Sequence, residues 1–172
     1  MEKTDTLEVY TISFLKRNDQ YLLLQRSQNK SFAPGRWTGL GGHVENNEFD
    51  QLRASALREI HEESGILLED ISRFILRWTL LVCRPQQPIS VLLYFTGELS
   101  QFLPSTCPEG LLFWKKESEF DFLDIIETTR PVLHQLIFDM NSDPIGKTIP
   151  NSGLAVFDAR GNFVQNIWAH HD

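Results

Sequence analysis

The chain has 172 residues, of which 41% are hydrophobic and 23% charged, and its formal net charge is −7. This length fits one domain or one domain with a small appendage, and the negative charge argues against a protein that coats a nucleic-acid polymer. No apolar run approaches the roughly 20 residues that span a membrane, and the first five residues include three charged side chains and lack an apolar signal core. We expect a soluble, cytoplasmic protein, with Cys83 and Cys107 as buried free thiols.

Two strands open the chain. Residues 7–16 and 21–25 are rich in apolar and β-branched side chains and flank the turn 17–20, which predicts a hairpin. Arg26 follows the second strand.

A loop over residues 27–40 carries Pro34-Gly35-Arg36-Trp37 and leads to Gly41-Gly42. Packing beneath a helix is the favoured role of Trp37, because such aromatic side chains usually supply core area. The paired glycines let the backbone approach a ligand closely.

A helix is predicted from Phe49 to Ser64, with Gly65 as its left-handed cap. Near its end Glu59, Glu62 and Glu63 stand at helical spacing and share one face. Taken alone, such a cluster is more often a solvated charged face. As a ligand set, three carboxylates suit Mg²⁺ or Mn²⁺ better than zinc.

The second half of the chain continues with predicted strands at 74–84 and 89–99, a strand after Glu109, and a helix over 129–140. We divide the chain into a domain over 1–140 and an extension over 141–172. The extension comprises a linker and a β-hairpin with strands at 154–158 and 163–168. A lone hairpin is marginally stable in water, so we expect it to pack on the domain or on a second subunit, as in a homodimer.

The stretch from Gly42 to Ile66 resembles the Nudix box, G-x5-E-x7-R-E-U-x-E-E-x-G-U with U aliphatic. Glu48 follows Gly42 at the box spacing, and the second half matches at every defined position: Arg58, Glu59, Ile60, Glu62, Glu63, Gly65, Ile66. The spacer over residues 49–57 has nine residues where the box has seven, so the place of Glu48 relative to a metal is left open.

The resemblance implies an α/β/α sandwich with a mixed sheet and divalent-metal hydrolysis of a nucleoside diphosphate linked to another group. It implies metal ligands at Glu59, Glu62, Glu63 and the Gly41 carbonyl, with Arg58 orienting a glutamate. Glu62 or Glu109 is the implied catalytic base. Many family members have a basic residue at the end of this strand, so Arg26 either contacts a substrate phosphate or caps the sheet, with neither role favoured. Thr38 and Trp37 are further candidate substrate contacts, and stacking on a base is the alternative to packing for Trp37.

The implied substrate is a small nucleotide. A nucleoside triphosphate of the MutT type comes first, including an oxidised purine dNTP. ADP-ribose or a nucleotide sugar comes second, and a non-catalytic nucleotide sensor is the further alternative. In some MutT-type enzymes an asparagine follows the tryptophan and reads the purine, and Thr38 stands in that place here, a shorter side chain with a different hydrogen-bonding reach.

Overall fold

The computed structural model describes residues 7–100 and 106–169. Within this part of the chain there are nine β-strands and two α-helices. The strands are β1 (Leu7–Arg17), β2 (Gln20–Arg26), β3 (Trp37–Thr38), β4 (Ile71–Val82), β5 (Ile89–Leu99), β6 (Thr106–Cys107), β7 (Gly110–Lys116), β8 (Asn151–Phe157) and β9 (Phe163–Trp168), and the helices are α1 (Leu52–Ser64) and α2 (Thr129–Ser142).

The strands form one mixed sheet in the order β6-β7-β2-β1-β5-β4-β8-β9, and β3 pairs with β2. β1 runs parallel to β5, and β8 runs parallel to β4, whereas the other pairs are antiparallel. Side chains alternate along β1: Val9 and Leu15 pack with Ile60 of α1, and Phe14 packs with Leu136 of α2 on the opposite face. Helices therefore cover both faces, which confirms the predicted sandwich.

β1 and β2 pair over only three residues on each strand, from Leu15↔Leu22 to Arg17↔Gln20, and then separate. The segment that carries the paired glycines fills the resulting gap. The amides of Ser13 and Thr11 donate to the carbonyls of Leu40 (2.6 Å) and Gly42 (2.9 Å), and the Val44 amide donates to Val9 (2.8 Å). This segment, residues 40–44, is called the glycine loop below. It is hydrogen-bonded directly to β1.

Gly41 is required for this approach. Its φ is +152°, and a Cβ on it would lie 2.0 Å from the Thr11 carbonyl oxygen. Any other residue would force the loop away from β1.

Helix α1 begins at Leu52, three residues later than predicted. The preceding residues form turns, in which the amides of Glu48 and Gln51 donate to the carbonyls of Glu45 and Glu48. Residues 49–51 of the long spacer therefore precede the helix, and residues 52–57 form its first turns. The other end is as predicted: Gly65 has a φ of +73°, and its amide donates to the His61 carbonyl.

The C-terminal hairpin extends the sheet beyond β4. β8 pairs with β4 from Trp78↔Asn151 to Val82↔Ala155, and the ring of Trp168 on β9 lies edge-on to Trp78 at 4.8 Å. The predicted burial of Cys83 is wrong. Cys83 follows the end of β4 and is exposed, while Cys107 is partly exposed. None of the described helices is long and apolar enough to cross a membrane.

Candidate active site

A cavity of about 750 Å³ opens where the glycine loop meets the end of α1. It brings together most of the predicted site residues, which come from five separate segments. Those that line it are Arg26, Thr38, Gly41, Gly42, Glu59, Glu62, Glu63 and Glu109. Trp37 and Arg58 lie outside the lining.

Arg58 stands behind the cavity and holds three carboxylates. Its Nε and Nη2 donate to the two oxygens of Glu48 at 2.7 and 2.8 Å. Its Nη1 donates to Glu59 (2.7 Å) and to Glu62 (3.1 Å). A planar guanidinium suits this arrangement because its donors point in several fixed directions. Arg58 therefore positions glutamates and does not itself face the cavity.

Glu48 belongs to this network despite the longer spacer. Besides Arg58, it accepts hydrogen bonds from Ser55 Oγ (2.8 Å) and the Glu45 amide (3.0 Å). These donors lower the pKa of Glu48 to about 2, with the Arg58 hydrogen bond as the largest cause. Because all these hydrogen bonds hold Glu48 in place, its carboxylate in turn fixes the position of Arg58.

Glu59, Glu62 and Glu63 are called the acidic cluster below. Glu63 is its buried member, with 7% of its surface exposed. Its Oε2 accepts a hydrogen bond from the Gly41 amide at 2.8 Å. Burial raises the pKa of Glu63 to about 8, against the Gly41 hydrogen bond, and the negative charges of Glu109 and Glu59 raise it further. A buried carboxylate beside two others favours a proton or a cation.

Glu59 lies directly against Gly42. A Cβ on this glycine would come within 2.4 Å of Glu59 Oε2, so the absence of a side chain makes room for the carboxylate. Burial also raises the pKa of Glu59, and the bond from Arg58 opposes the rise. Gly42 therefore leaves room for a glutamate of α1, whereas Gly41 allows the close contact with β1.

Within the described residues, no three acidic, histidine or cysteine side chains converge as a ready-made metal cage. Glu59 and Glu62 share Arg58, and Glu63 is turned to Gly41. The residues nevertheless fit a hard divalent cation. All the candidate ligand atoms are oxygens and line one cavity, and the buried Glu63 lies near two other negative charges.

Glu109 reaches the cavity from the loop before β7. Lys30 Nζ lies 2.6 Å from its Oε1, and the Ser27 amide donates to its carbonyl at 2.8 Å. Both fix the loop that carries Glu109 against the segment after β2. Lys30 could not be singled out in the sequence, because no spacing ties it to residue 109.

The three candidate substrate contacts have different surroundings. Thr38 is nearly buried and lines the cavity, as does Arg26, whose Nε donates to the Phe32 carbonyl at 3.0 Å. Trp37 packs instead against Phe113, with ring centroids 5.3 Å apart. This contact agrees with the packing alternative for the tryptophan.

The cavity also has a second end that the sequence did not indicate. Phe32, Val82, Arg84, Leu92, Thr128 and Thr129 line it. These residues come from four segments, which are the loop after β2, the end of β4, strand β5 and the start of α2, and they form no local motif. Only the topology of the sheet brings them together.

The model of one protein family, described as the NUDIX domain, matches residues 6–136. Among curated proteins, the m7GpppN-mRNA hydrolase NUDT17 of Xenopus laevis is 39% identical over 64 residues. That segment is 37% of this chain and 19% of the Xenopus protein, so the chain spans about a fifth of the length of that relative.

Several solved structures share the fold. A mutator MutT protein from Bacillus halodurans superposes with a TM-score of 0.65 at 20% identity, covering 94% of this chain and 97% of that one. The NUDIX domain of Shewanella oneidensis NrtR, solved with ADP ribose, gives a TM-score of 0.56 at 18% identity, covering 80% and 90%. At these identities the likeness shows the fold.

Proposed function

This chain belongs to the Nudix family, and from that premise we propose that it hydrolyses a pyrophosphate bond in a nucleoside diphosphate derivative with the help of Mg²⁺ or Mn²⁺. One observation carries the proposal. Glu59, Glu62 and Glu63 line the same cavity as Glu109 and Arg26. Carboxylates alone would repel a pyrophosphate, so the acidic end of the cavity suits this substrate when a cation offsets both charges.

Glu62 has two proposed roles, as a ligand that the cation does not fully engage and as a candidate proton acceptor, whereas Glu59 and Glu63 have one. Glu59, Glu62 and Glu63 would hold the cation, and the Gly41 carbonyl stays a further predicted ligand. When bound, the cation would neutralise phosphate charge and acidify a water molecule. Arg58 keeps Glu59 and Glu62 oriented toward the cavity, and the Gly41 amide orients Glu63.

Two carboxylates compete for the role of general base, Glu62 and Glu109. Glu109 is paired with Lys30 at 2.6 Å, so its carboxylate already has a partner within the protein. Glu62 makes one hydrogen bond to Arg58, and 56% of its side chain is exposed. We favour Glu62 as the group that accepts the proton of the attacking water.

We rank the substrates as a nucleoside triphosphate first and ADP-ribose or a nucleotide sugar second. The NUDIX domain of NrtR forms a complex with ADP ribose, which supports keeping the second class. The Xenopus relative is an m7GpppN-mRNA hydrolase, which adds a capped RNA end to the compounds worth testing. The net charge of −7 favours a small nucleotide over an RNA polymer.

The test is hydrolysis of a panel with Mg²⁺, scored by which phosphate bond breaks. The panel holds the common and oxidised nucleoside triphosphates, ADP-ribose, a nucleotide sugar and a capped dinucleotide. We expect Glu63→Gln to lower turnover at least about 100-fold, since even groups that only support a metal ligand account for 10–100-fold.

Glu69→Gln is the matched control, because Glu69 is exposed in the turn after α1 and does not line the cavity. Full turnover by Glu63→Gln would contradict the proposed metal-dependent site. Tight nucleotide binding without hydrolysis of any compound would favour the sensor alternative.

A further inference from the structure

The cavity extends well beyond the acidic cluster. Its wall crosses three neighbouring strands, with Ile12 on β1, Leu92 on β5 and Val82 on β4. Neighbouring strands lie about 4.8 Å apart, so β4 is roughly 10 Å from β1, where the glycine loop is attached. The cavity is long enough for a nucleoside with its phosphates at the acidic end.

An arginine held between two aromatic rings marks the distal end. The Cζ atom of Arg84 lies 5.7 Å from the ring centre of Phe32 and 4.6 Å from that of Phe157. Its Nη2 donates to Glu127 Oε1 at 3.2 Å. Phe32 is half exposed and also lines the cavity, and the Cζ atom of Arg26 lies 5.7 Å from its ring centre as well, so its ring stands beside two guanidinium groups.

The charge of Arg84 is already balanced by an acidic partner. Glu127 accepts from Arg84 and also from Arg36, and Arg36 is paired with Asp124 at 3.2 Å. Two arginines therefore face two carboxylates. This environment is suited to a neutral, flat group with hydrogen-bond acceptors on its edge, more than to another phosphate.

The C-terminal hairpin holds this end in place at two points. Phe157 on β8 covers Arg84, and Asn166 on β9 donates its amide to the Thr128 carbonyl at 3.2 Å. Both Arg84 and Thr128 line the cavity. The extension thus contacts residues of the cavity wall.

We propose that the Phe32–Arg84 end is the subsite for the base of the nucleotide, with the ring against Phe32 and Arg84 donating to acceptors on the base edge. Phe157 is the positioning residue that holds Arg84. Guanine carries two adjacent acceptors, O6 and N7, where adenine carries a donor and an acceptor, so the site prefers guanine. This inference rests on the proposed function for the placement of the phosphates.

Equilibrium binding of GMP and AMP without divalent cation, followed by calorimetry, tests the subsite separately from hydrolysis. We expect the unmodified protein to bind GMP about tenfold more tightly than AMP, the ratio that one good arginine–guanine contact supplies. Arg84→Gln should reduce this ratio to near one. Equal affinities in the unmodified protein, or an unchanged ratio in Arg84→Gln, would overturn the proposal.

Phe157 is tested by three variants on the same hairpin. Phe157→Ala should lower the GMP preference several-fold, and Phe157→Tyr should restore it because the ring over Arg84 is retained. Val164→Ala is the control, since Val164 is exposed and does not line the cavity. A preference unchanged in Phe157→Ala would show that the hairpin does not position Arg84.

The two proposals fail in different ways. A GMP preference without hydrolysis of any nucleotide would leave the base subsite standing and remove the proposed enzyme activity. Hydrolysis together with equal binding of GMP and AMP would support the enzyme activity and remove the base subsite.

Discussion

At the residue scale, Arg58 connects the parts of the acidic cluster. It binds Glu48 through two nitrogens and Glu59 and Glu62 through a third. Lysine at this position would keep the charge but supply a single point of attachment. The glutamates that line the cavity would then lose a common orientation.

We therefore predict that Arg58→Lys lowers turnover about 10–100-fold, as expected for a group that orients metal ligands. The measurement is the Mg²⁺ dependence of hydrolysis, with helical content checked by circular dichroism. Arg53→Lys is the control, because Arg53 lies on the same helix and does not line the cavity. Equal turnover in the two variants would show that Arg58 has no special role.

Glu63 gives a second prediction through its pKa, which burial raises to about 8. The folded protein then holds a proton that the unfolded chain releases near pH 4.5. The stability that this proton provides is complete below pH 4.5 and is lost as the pH rises through 8. In EDTA, the melting temperature of the unmodified protein should fall between pH 5 and 8 relative to Glu63→Gln.

The control for this experiment is Glu69→Gln, which should follow the unmodified protein at every pH. Parallel curves for the unmodified protein and Glu63→Gln would mean that the carboxyl of Glu63 is not perturbed.

The residues of the acidic cluster could be predicted from the sequence because helical spacing is a local property. Glu59, Glu62 and Glu63 lie within one turn, and the family spacing of Arg58 to Ile66 is intact. Arg84, Phe32 and Phe157 could not be predicted in this way. Phe32 and Phe157 lie 52 and 73 residues from Arg84 along the chain, and only folding brings them into contact.

At the element scale, the connection between α2 and β8 is organised by one aspartate. Asp143 accepts hydrogen bonds from the amides of Gly146, Lys147 and Thr148 and from the Thr148 hydroxyl. These donors, led by Thr148, lower the pKa of Asp143 to about 2. The nearby Arg77 side chain is only 5% exposed, and its Nη1 lies 3.7 Å from Asp143.

Because the folded pKa is depressed, the stabilisation by Asp143 is present above the unfolded value near 4 and is lost as the pH falls toward 2. Asp143→Asn should lower the melting temperature at pH 6, and its difference from the unmodified protein should shrink at pH 2.5. Thermal unfolding at the two pH values measures this. Asp121→Asn, at an exposed position, should change neither value.

The elements themselves were predicted with differing success. The strands of the N-terminal hairpin and the end of α1 follow from apolar patterns and Gly65. The start of α1 was placed too early, because residues 49–51 have no feature that separates a turn from a first helical turn. The C-terminal hairpin was predicted. Its parallel pairing through β8 with β4 leaves no local signal in the sequence, because the paired segments are 73 residues apart.

At the scale of the whole molecule, the C-terminal hairpin is continuous with the domain in the sheet. Trp168 packs edge-on against Trp78, which also donates its indole N–H to Asp139 of α2 at 2.7 Å. Trp78 of β4 therefore contacts both the C-terminal hairpin and helix α2. We infer that residues 141–169 act as part of the domain's folding unit.

Trp168→Ala should destabilise the protein by about 2 kcal/mol, less than the roughly 3–5 kcal/mol for a fully buried tryptophan because Trp168 is partly exposed. Urea unfolding followed by two probes should still give one transition. Ile167→Ala is the matched control, since the neighbouring side chain points to the opposite, exposed face. Separate transitions would show that the hairpin folds independently.

The attachment of the glycine loop to β1 also bears on how the site moves. The amides of Thr11 and Ser13 and that of Leu40 are bonded between loop and strand, beside the most buried part of the sheet. We expect such amides to exchange slowly with solvent, because exchange requires the loop to separate from a buried strand. We expect faster exchange around Phe32, which is half exposed. A ligand would then meet a fixed backbone at the glycine loop and a more mobile aromatic wall at Phe32.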